Sequence, residues 1–263
     1  MRHQARKRFG QNFLVDPSVI DRIISIIAPR AGDLIIEIGP GREALTGPLL
    51  ESGAELVVVE IDRDLAARLG QRHPRLRVLC QDALKVDFAG LAEGRPYRLV
   101  GNLPYNISTP LMFHLLDQSP LPLDMHFMLQ KEVVERMIAG PGGKDYGRLS
   151  LMTRNLAEVE SLLAVPPAAF EPQPKVDSAI VALRPRPAPL VPETLQQPFS
   201  LLVARAFTMR RKTLRNSLRG YLSLEQIEAA GIDPSTRPEQ LSLEDFTRLA
   251  ACYDALQAEQ EPE

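Results

Sequence analysis

A series of short apolar, β-branched runs limits what this chain can fold into. LIIEIG from Leu34, LVVVEI from Leu56, RVLCQ from Arg77, RLVGN from Arg98, HFMLQ from His126 and SAIVAL from Ser178 each read as a strand, with EVESLLA from Glu158 a weaker seventh. Segments of helical composition, such as DLAARLGQR and TPLMFHLLDQ, separate the early ones. Runs without polar alternation suit strands covered on both faces, and strands alternating with helices form parallel sheets. The expected fold is α/β, a mostly parallel, doubly wound sheet of about seven strands.

Around this sheet the sequence suggests two domains. DPSVIDRIISIIA predicts a helix capped by Asp16, with Pro17 in its first turn and Val19, Ile20, Ile23, Ile24 and Ile27 on one face. The proline-rich stretch RPRPAPLVPE, 184–193, reads as a connection. Beyond it lie helical segments at 194–219, from Ser223 and from Ser242, the last two with capping-type openings, before a frayed AEQEPE end. Residues 1–185 are therefore expected to form a catalytic α/β domain with a basic N-terminal arm, and 186–263 a small helical domain.

No run approaches eighteen uninterrupted apolar residues, and MRHQARKRFGQ carries no apolar stretch after its charges, so neither a membrane span nor a signal peptide is predicted. A soluble, cytoplasmic protein is expected. Cys80 and Cys252 stand far apart, with Cys80 read as a small core residue, and His3, His73, His114 and His126 share no ligand spacing. Neither a disulfide framework nor a metal site is expected. The formal net charge is −2, but Arg2, Arg6, Lys7 and Arg8 crowd the start, and no acid interrupts the stretch containing Arg205, Arg210, Arg211, Lys212, Arg215 and Arg219.

IIEIGPGREALT sets Gly39 and Gly41 between a strand and a helix, and Glu60 ends the next strand twenty-one residues after Gly39. At the carboxyl edge of a doubly wound sheet, glycines let a nucleotide approach the backbone and an acid on the second strand accepts from ribose hydroxyls. The motif alone leaves NAD and S-adenosylmethionine open, since Ala44 can stand in the third glycine place. Glu37 favours S-adenosylmethionine, whose methionine end carries a cationic amino group. Asp82, after the third strand, is a candidate acceptor for the adenine amine.

GNLPYNISTP, 101–110, follows the fourth strand. The Asn102 side-chain oxygen and a loop carbonyl such as that of Leu103 could bind both hydrogens of an exocyclic adenine amine and favour a more nucleophilic geometry. Pro104 would fix the loop, and Tyr105 would stack on the base. This chemistry needs alignment with a sulfonium methyl rather than a strong base.

These segments resemble the KsgA/RsmA family of 16S rRNA adenine N6,N6-dimethyltransferases, relatives of the Erm methyltransferases. The likeness covers GQNFLVD at 10, EIGPG at 37, VVVEID at 57, QDAL at 81, GNLPYNISTP at 101, KEVVERM at 131, KDYGRLSLMTR at 144, FEPQPKVDSAIV at 170 and AFTMRRKTLRNSL at 206. It implies a Rossmann-like S-adenosylmethionine methyltransferase sheet, with cofactor contacts at Asn12, Leu14, Gly39, Gly41, Glu60, Asp82 and Asn102. It also implies a target-amine loop at Asn102–Tyr105 and a second base-stacking aromatic at Phe170. The implied reaction is dimethylation of two adjacent adenosines in the 3′-terminal hairpin loop of 16S rRNA, on an immature small ribosomal subunit. Glu43 departs from the family, many of whose members have a third glycine there.

On a helical wheel, Val203, Phe207, Leu214 and Leu218 form one stripe of 194–219, while Arg205, Arg211, Lys212, Arg215 and Arg219 gather on another. Such a face suits RNA phosphates. The expected protein is a monomer using S-adenosylmethionine and needing neither metal nor membrane. A ribosome-assembly factor, in which RNA binding outweighs catalysis, and a nicotinamide oxidoreductase are the alternatives.

Overall fold

The computed structural model describes residues 11–260, with side chains to residue 257. The basic residues Arg2, Arg6, Lys7 and Arg8, together with His3, lie outside that range, as do the last three residues of the AEQEPE end, while 258–260 continue the final helix. Among the described residues, nine strands follow one another as β1 (Phe13–Leu14), β2 (Leu34–Ile38), β3 (Glu55–Val59), β4 (Arg77–Leu79), β5 (Arg98–Asn102), β6 (Asp124–Gln130), β7 (Ala157–Val165), β8 (Phe170–Glu171) and β9 (Ser178–Pro185). Seven of them form one sheet in the order β4-β3-β2-β5-β6-β9-β7, and β1 pairs with β8 separately. The contacts from β4 through β6 are parallel, while β9 runs antiparallel to β6. The expected α/β sheet is thus present, and the weak seventh run is a full strand of nine residues. β1 and β8, two residues each, were not anticipated from the sequence.

The sheet's interior follows from composition. All five residues of β2 are buried, and Ile35, Ile36, Val58, Leu99 and Val100 show no more than 0% exposure. Gly101 of β5 approaches β2 so closely that a Cβ there would stand 2.3 Å from the Ile38 carbonyl oxygen. The Asp16 side chain caps the helix Pro17–Ile27 by accepting from the Ser18 and Val19 amides, and that helix buries Val19, Ile23 and Ile27. Arg98, at the opening of β5, donates to Asp124, to Asp33 at 2.8 Å and to the Ile27 carbonyl at 2.7 Å. One half-buried guanidinium therefore joins helix end, turn and two strands at the edge opposite the strands' carboxyl ends.

The chain separates into two compact units, one reaching Val134 and resuming from Glu158 to Pro185, the other formed by Glu135–Ala157 and the chain from Arg186 onward. One division falls after Pro185, and 135–157 belongs to the second unit rather than to the first. Its side chains explain this: Tyr146 and Leu151 belong to a core with Phe199, Val203, Leu214, Ile227, Phe246 and Leu249. The Tyr146 hydroxyl donates to the Leu241 carbonyl at 2.8 Å, and the Asn155 side-chain oxygen accepts from the Val191 amide at 2.9 Å.

Two local expectations need correction. The segment 194–219 is not one helix. Gln196–Thr208 is helical, the chain leaves the helix at Met209, and a short turn restarts at Leu214–Ser217 after Thr213 adopts extended backbone. The consecutive cations Arg210, Arg211 and Lys212 occupy the break, where Arg211 and Lys212 are exposed and Arg210 is only partly so. Val203, Leu214 and Leu218 are nonetheless fully buried, with Phe207 packed alongside. Cys80 is exposed rather than a core residue, because β4 is an edge strand that ends at Leu79.

Candidate active site

In a parallel sheet the strand carboxyl ends share one edge. Ile38 of β2 is in register with Val59 of β3 and Gly101 of β5, so the next residues, Gly39, Glu60 and Asn102, fall together. The Gly39 amide donates to the Val59 carbonyl at 2.9 Å. Gly39 and Gly41 have φ of +69° and +57°, left-handed backbone that glycine adopts without strain. A Cβ on Gly41 would meet the Phe13 ring at 3.1 Å. The turn therefore also needs glycine for close packing against β1.

A cleft opens at this edge, lined by residues that include Asn12, Leu14, Glu37, Gly39, Gly41, Glu60, Ile61 and Asn102–Tyr105. Glu60, 5% exposed, accepts from the Asp62 amide at 2.8 Å and the Gly41 amide at 3.3 Å. Burial raises its pKa, and those two backbone donors partly offset the rise. Glu37 lies fully enclosed within β2 and accepts from the Thr46 hydroxyl at 2.7 Å. Burial pushes its carboxyl up to about 8. Among the described residues neither acid forms an ion pair with a lysine, arginine or histidine. Two enclosed carboxyls in one cleft, one able to neutralise a cation and one placed to accept hydroxyls, fit the ammonium and ribose of S-adenosylmethionine. Ile61 adds an apolar face to the rim, 43% exposed.

Asn12 arrives through β1, held antiparallel to β8 with Leu14 opposite Phe170. The Asn102 amide nitrogen donates to the Asn12 carbonyl at 3.0 Å. A backbone carbonyl can only accept, so this bond sets the orientation of the Asn102 amide and turns its oxygen the other way. In the following loop, Leu103 is buried and its amide donates to the Met128 carbonyl at 3.2 Å. The Pro104 carbonyl accepts from the Ile107 amide and the Ser108 hydroxyl. Tyr105 is half-buried, with its hydroxyl 2.5 Å from Ser178 Oγ.

Asn12, Leu14, Gly39, Gly41, Glu60 and Asn102–Tyr105 thus come together around one cleft. Asp82 is not among its lining residues; it caps a short turn by accepting from the Leu84 amide at 3.1 Å, and among the described residues its other oxygen has no hydrogen-bond partner. Phe170 is not at the cleft either. It is 2% exposed and packs in the core with Leu14, Val100, Met128 and Ile180, so neither ring face is open to a base. Its position opposite Leu14 instead makes it a support for β1. The sequence reading passed over Thr46 and Ser178; an enclosed acid at Glu37 requires a donor, which was the available signal for the first.

The second unit carries the basic segment. Arg211, Lys212, Arg215 and Arg219 are exposed, whereas Arg205 is half-buried with its guanidinium 5.7 Å from the centre of the Tyr221 ring. Arg210 turns back to the Gly143 and Lys144 carbonyls.

A glycine turn, strand-end acids and an Asn-Leu-Pro-Tyr loop on a seven-stranded sheet, whose five parallel strands are followed by β9 running antiparallel to β6 and then by β7, define a methyltransferase that acts on an amine. A family model described as "Ribosomal RNA adenine dimethylase" matches residues 2–255. The chain is 56% identical over 252 residues to the ribosomal RNA small subunit methyltransferase A of Pseudomonas aeruginosa, covering 94% of each protein. It is 54% identical over 250 residues to that of Nitrosomonas eutropha, covering 95% of this chain and 97% of the relative. A dimethyladenosine transferase from Plasmodium falciparum superposes with a TM-score of 0.77 at 26% identity, over 90% of this chain and 95% of that one. The 23S rRNA methyltransferase ErmE superposes with 0.70 at 29% identity, over 92% of this chain and 100% of that one. The chain belongs to the ribosomal RNA adenine dimethylase family, whose methyl donor is S-adenosylmethionine. Membership removes the nicotinamide alternative. Among the described residues no helix is long and apolar enough to cross a membrane.

Proposed function

We propose that this enzyme dimethylates the N6 amines of two adjacent adenosines in the 3′-terminal hairpin loop of 16S rRNA, acting as a cytoplasmic monomer on an immature small ribosomal subunit. The identity to small-subunit methyltransferases over nearly the whole chain supports the substrate. The orientation of the Asn102 amide supports the chemistry: with its nitrogen engaged by Asn12, its oxygen is the acceptor left for an incoming amine.

When bound, S-adenosylmethionine supplies a methyl group on a cationic sulfonium. Glu37 takes its ammonium and Glu60 its ribose hydroxyls. Ile61 covers one adenine face, and the unused Asp82 oxygen accepts from the adenine amine. Gly39 and Gly41 leave room along the backbone, with Asn12 and Leu14 closing the near wall. At the target, the Asn102 oxygen and the Leu103 carbonyl accept the two amine hydrogens, which holds the nitrogen lone pair in line with the methyl. Pro104 stiffens the turn, and Tyr105 stacks on the extruded adenine, a contact worth about 1 to 3 kcal/mol. The methylated amine is acidic enough to release its proton to water or a loop acceptor, so no strong base is required. Phe170 acts through β1, backing Leu14. Arg211, Lys212, Arg215 and Arg219 meet RNA phosphates, while Arg205 braces Tyr221 behind them.

Asn102→Ala tests the assignment. Transfer to small-subunit rRNA should fall by about a hundredfold or more while cofactor affinity changes only a few-fold. Wild-type turnover in that variant would remove Asn102 from the reaction.

A further inference from the structure

Tyr105 stands in a loop without regular structure, yet a base-stacking ring must keep a fixed tilt to hold an amine in line with a methyl group. The turn that the Ile107 amide and Ser108 hydroxyl close on the Pro104 carbonyl, after the buried anchor Leu103, fixes the Tyr105 backbone but leaves the tilt of its ring unset. The ring is held at its far end, where the phenol meets Ser178 Oγ at 2.5 Å. Ser178 is fully buried and opens β9, paired with Gln130 at the end of β6. Its neighbour Asp177 is also fixed, its carbonyl accepting from the Lys131 amide at 2.9 Å.

The topology shows how far this bond reaches. β6 lies between β5 and β9, with Met128 in register with Asn102 on one side and Ile180 on the other. The Tyr105 side chain therefore spans the carboxyl end of β6 and ties the loop after β5 to a strand two places away. A tyrosine placed only to fill the core would not need a buried hydroxyl at its tip, and one placed only to stack would leave its phenol in water. Tyr105 is half-buried, and the residue that its phenol meets, Ser178, is fully buried.

We propose that Ser178 is a positioning residue for methyl transfer, fixing the tilt of the Tyr105 ring through the phenol so that the stacked adenine presents its amine to the Asn102 oxygen. The proposal rests on the reaction assigned above. Ser178 touches neither substrate nor cofactor, so its removal acts on kcat and leaves the cofactor KM unchanged.

Ser178→Ala, Tyr105→Phe and the double variant form the test, with transfer measured on small-subunit rRNA lacking the modification. Tyr105→Phe removes the same bond from the accessible side and keeps the stacking ring, so a folding defect in Ser178→Ala does not decide the outcome. Each single variant should lower kcat by about tenfold, the double variant should lose no more than either single, and cofactor KM should stay within about twofold. Ring-flip rates of selectively labelled Tyr105, followed by NMR, should rise in Ser178→Ala. Wild-type kcat in both single variants, or losses that multiply in the double, overturns the positioning role while the assigned reaction stands. A wild-type enzyme that methylates no rRNA adenine overturns the assigned reaction and the proposal with it.

Discussion

Replacing Glu37 by glutamine should stabilise the protein in the absence of cofactor, and the gain should depend on pH. Burial raises the Glu37 carboxyl from 4.5 to about 8 in the folded chain. Between those values the native state holds a proton that the unfolded chain has released. The native state then binds more protons than the unfolded one, so the Glu37 contribution to stability is fully present below 4.5 and is lost as pH rises towards 8. The slope is about 1.36 kcal/mol per pH unit, which leaves a deficit of about 3 kcal/mol at pH 7 and about 5 kcal/mol above pH 8. Glutamine keeps the volume and the acceptor for the Thr46 hydroxyl but does not titrate. Urea denaturation of wild type and Glu37→Gln at pH 5, 7 and 8.5 isolates this group with its coupling to Glu60 and Glu43, because titrations elsewhere cancel in the difference. The gap should widen by several kcal/mol from pH 5 to 8.5. The same substitution should weaken S-adenosylmethionine binding, since it removes the carboxylate assigned to the ammonium. A gap that stays constant with pH would refute the enclosed, proton-holding state of Glu37.

Gly101→Ala should cost about 3 kcal/mol or more, or prevent folding, because the new Cβ would lie 2.3 Å from the Ile38 carbonyl oxygen in the middle of the sheet; urea denaturation or soluble yield reads this. Glu43 has φ of 70°, and its carboxylate meets His73 at 2.9 Å and Arg72 at 3.1 Å. Glu43→Ala keeps the backbone strain and loses the pairs, whereas Glu43→Gly relieves the strain, so glycine should exceed alanine by about 1 kcal/mol in stability. Equal stabilities would contradict the strain. Replacing Arg211, Lys212 and Arg215 together by alanine should weaken rRNA binding and lower the slope of log K against log salt by about 2 to 3, as measured by filter binding across a salt series; an unchanged slope would remove these residues from the interface.

What the sequence revealed depended on whether a residue's role is local. Gly39, Glu60 and Asn102 stand at strand ends, and once the apolar runs imply a parallel sheet their common edge follows. The cap at Asp16 and the buried faces of its helix are equally local. The surroundings of Phe170 and Cys80 are set by tertiary neighbours rather than by local pattern: the first is covered by the core behind β1, the second lies just past an edge strand. The break at Met209–Thr213 was hidden because the wheel stays in phase across it, with Val203, Leu214 and Leu218 all reaching the core. The transfer of 135–157 to the second unit depends on Tyr146 and Asn155 finding partners far along the chain, at Leu241 and Val191. The Tyr105–Ser178 bond has a sequence separation of 73 residues, which no local pattern encodes.

The central claim, that the loop from Asn102 to Tyr105 serves adenine N6 dimethylation of small-subunit rRNA, is tested most directly by incubating the protein with methyl-labelled S-adenosylmethionine and immature small subunits lacking the modification. The RNA is then digested and the labelled nucleoside identified and mapped. The account predicts N6,N6-dimethyladenosine at two adjacent positions of the 3′-terminal hairpin loop. Label on another base or another position, or no transfer by a protein that demonstrably binds the cofactor, would contradict it.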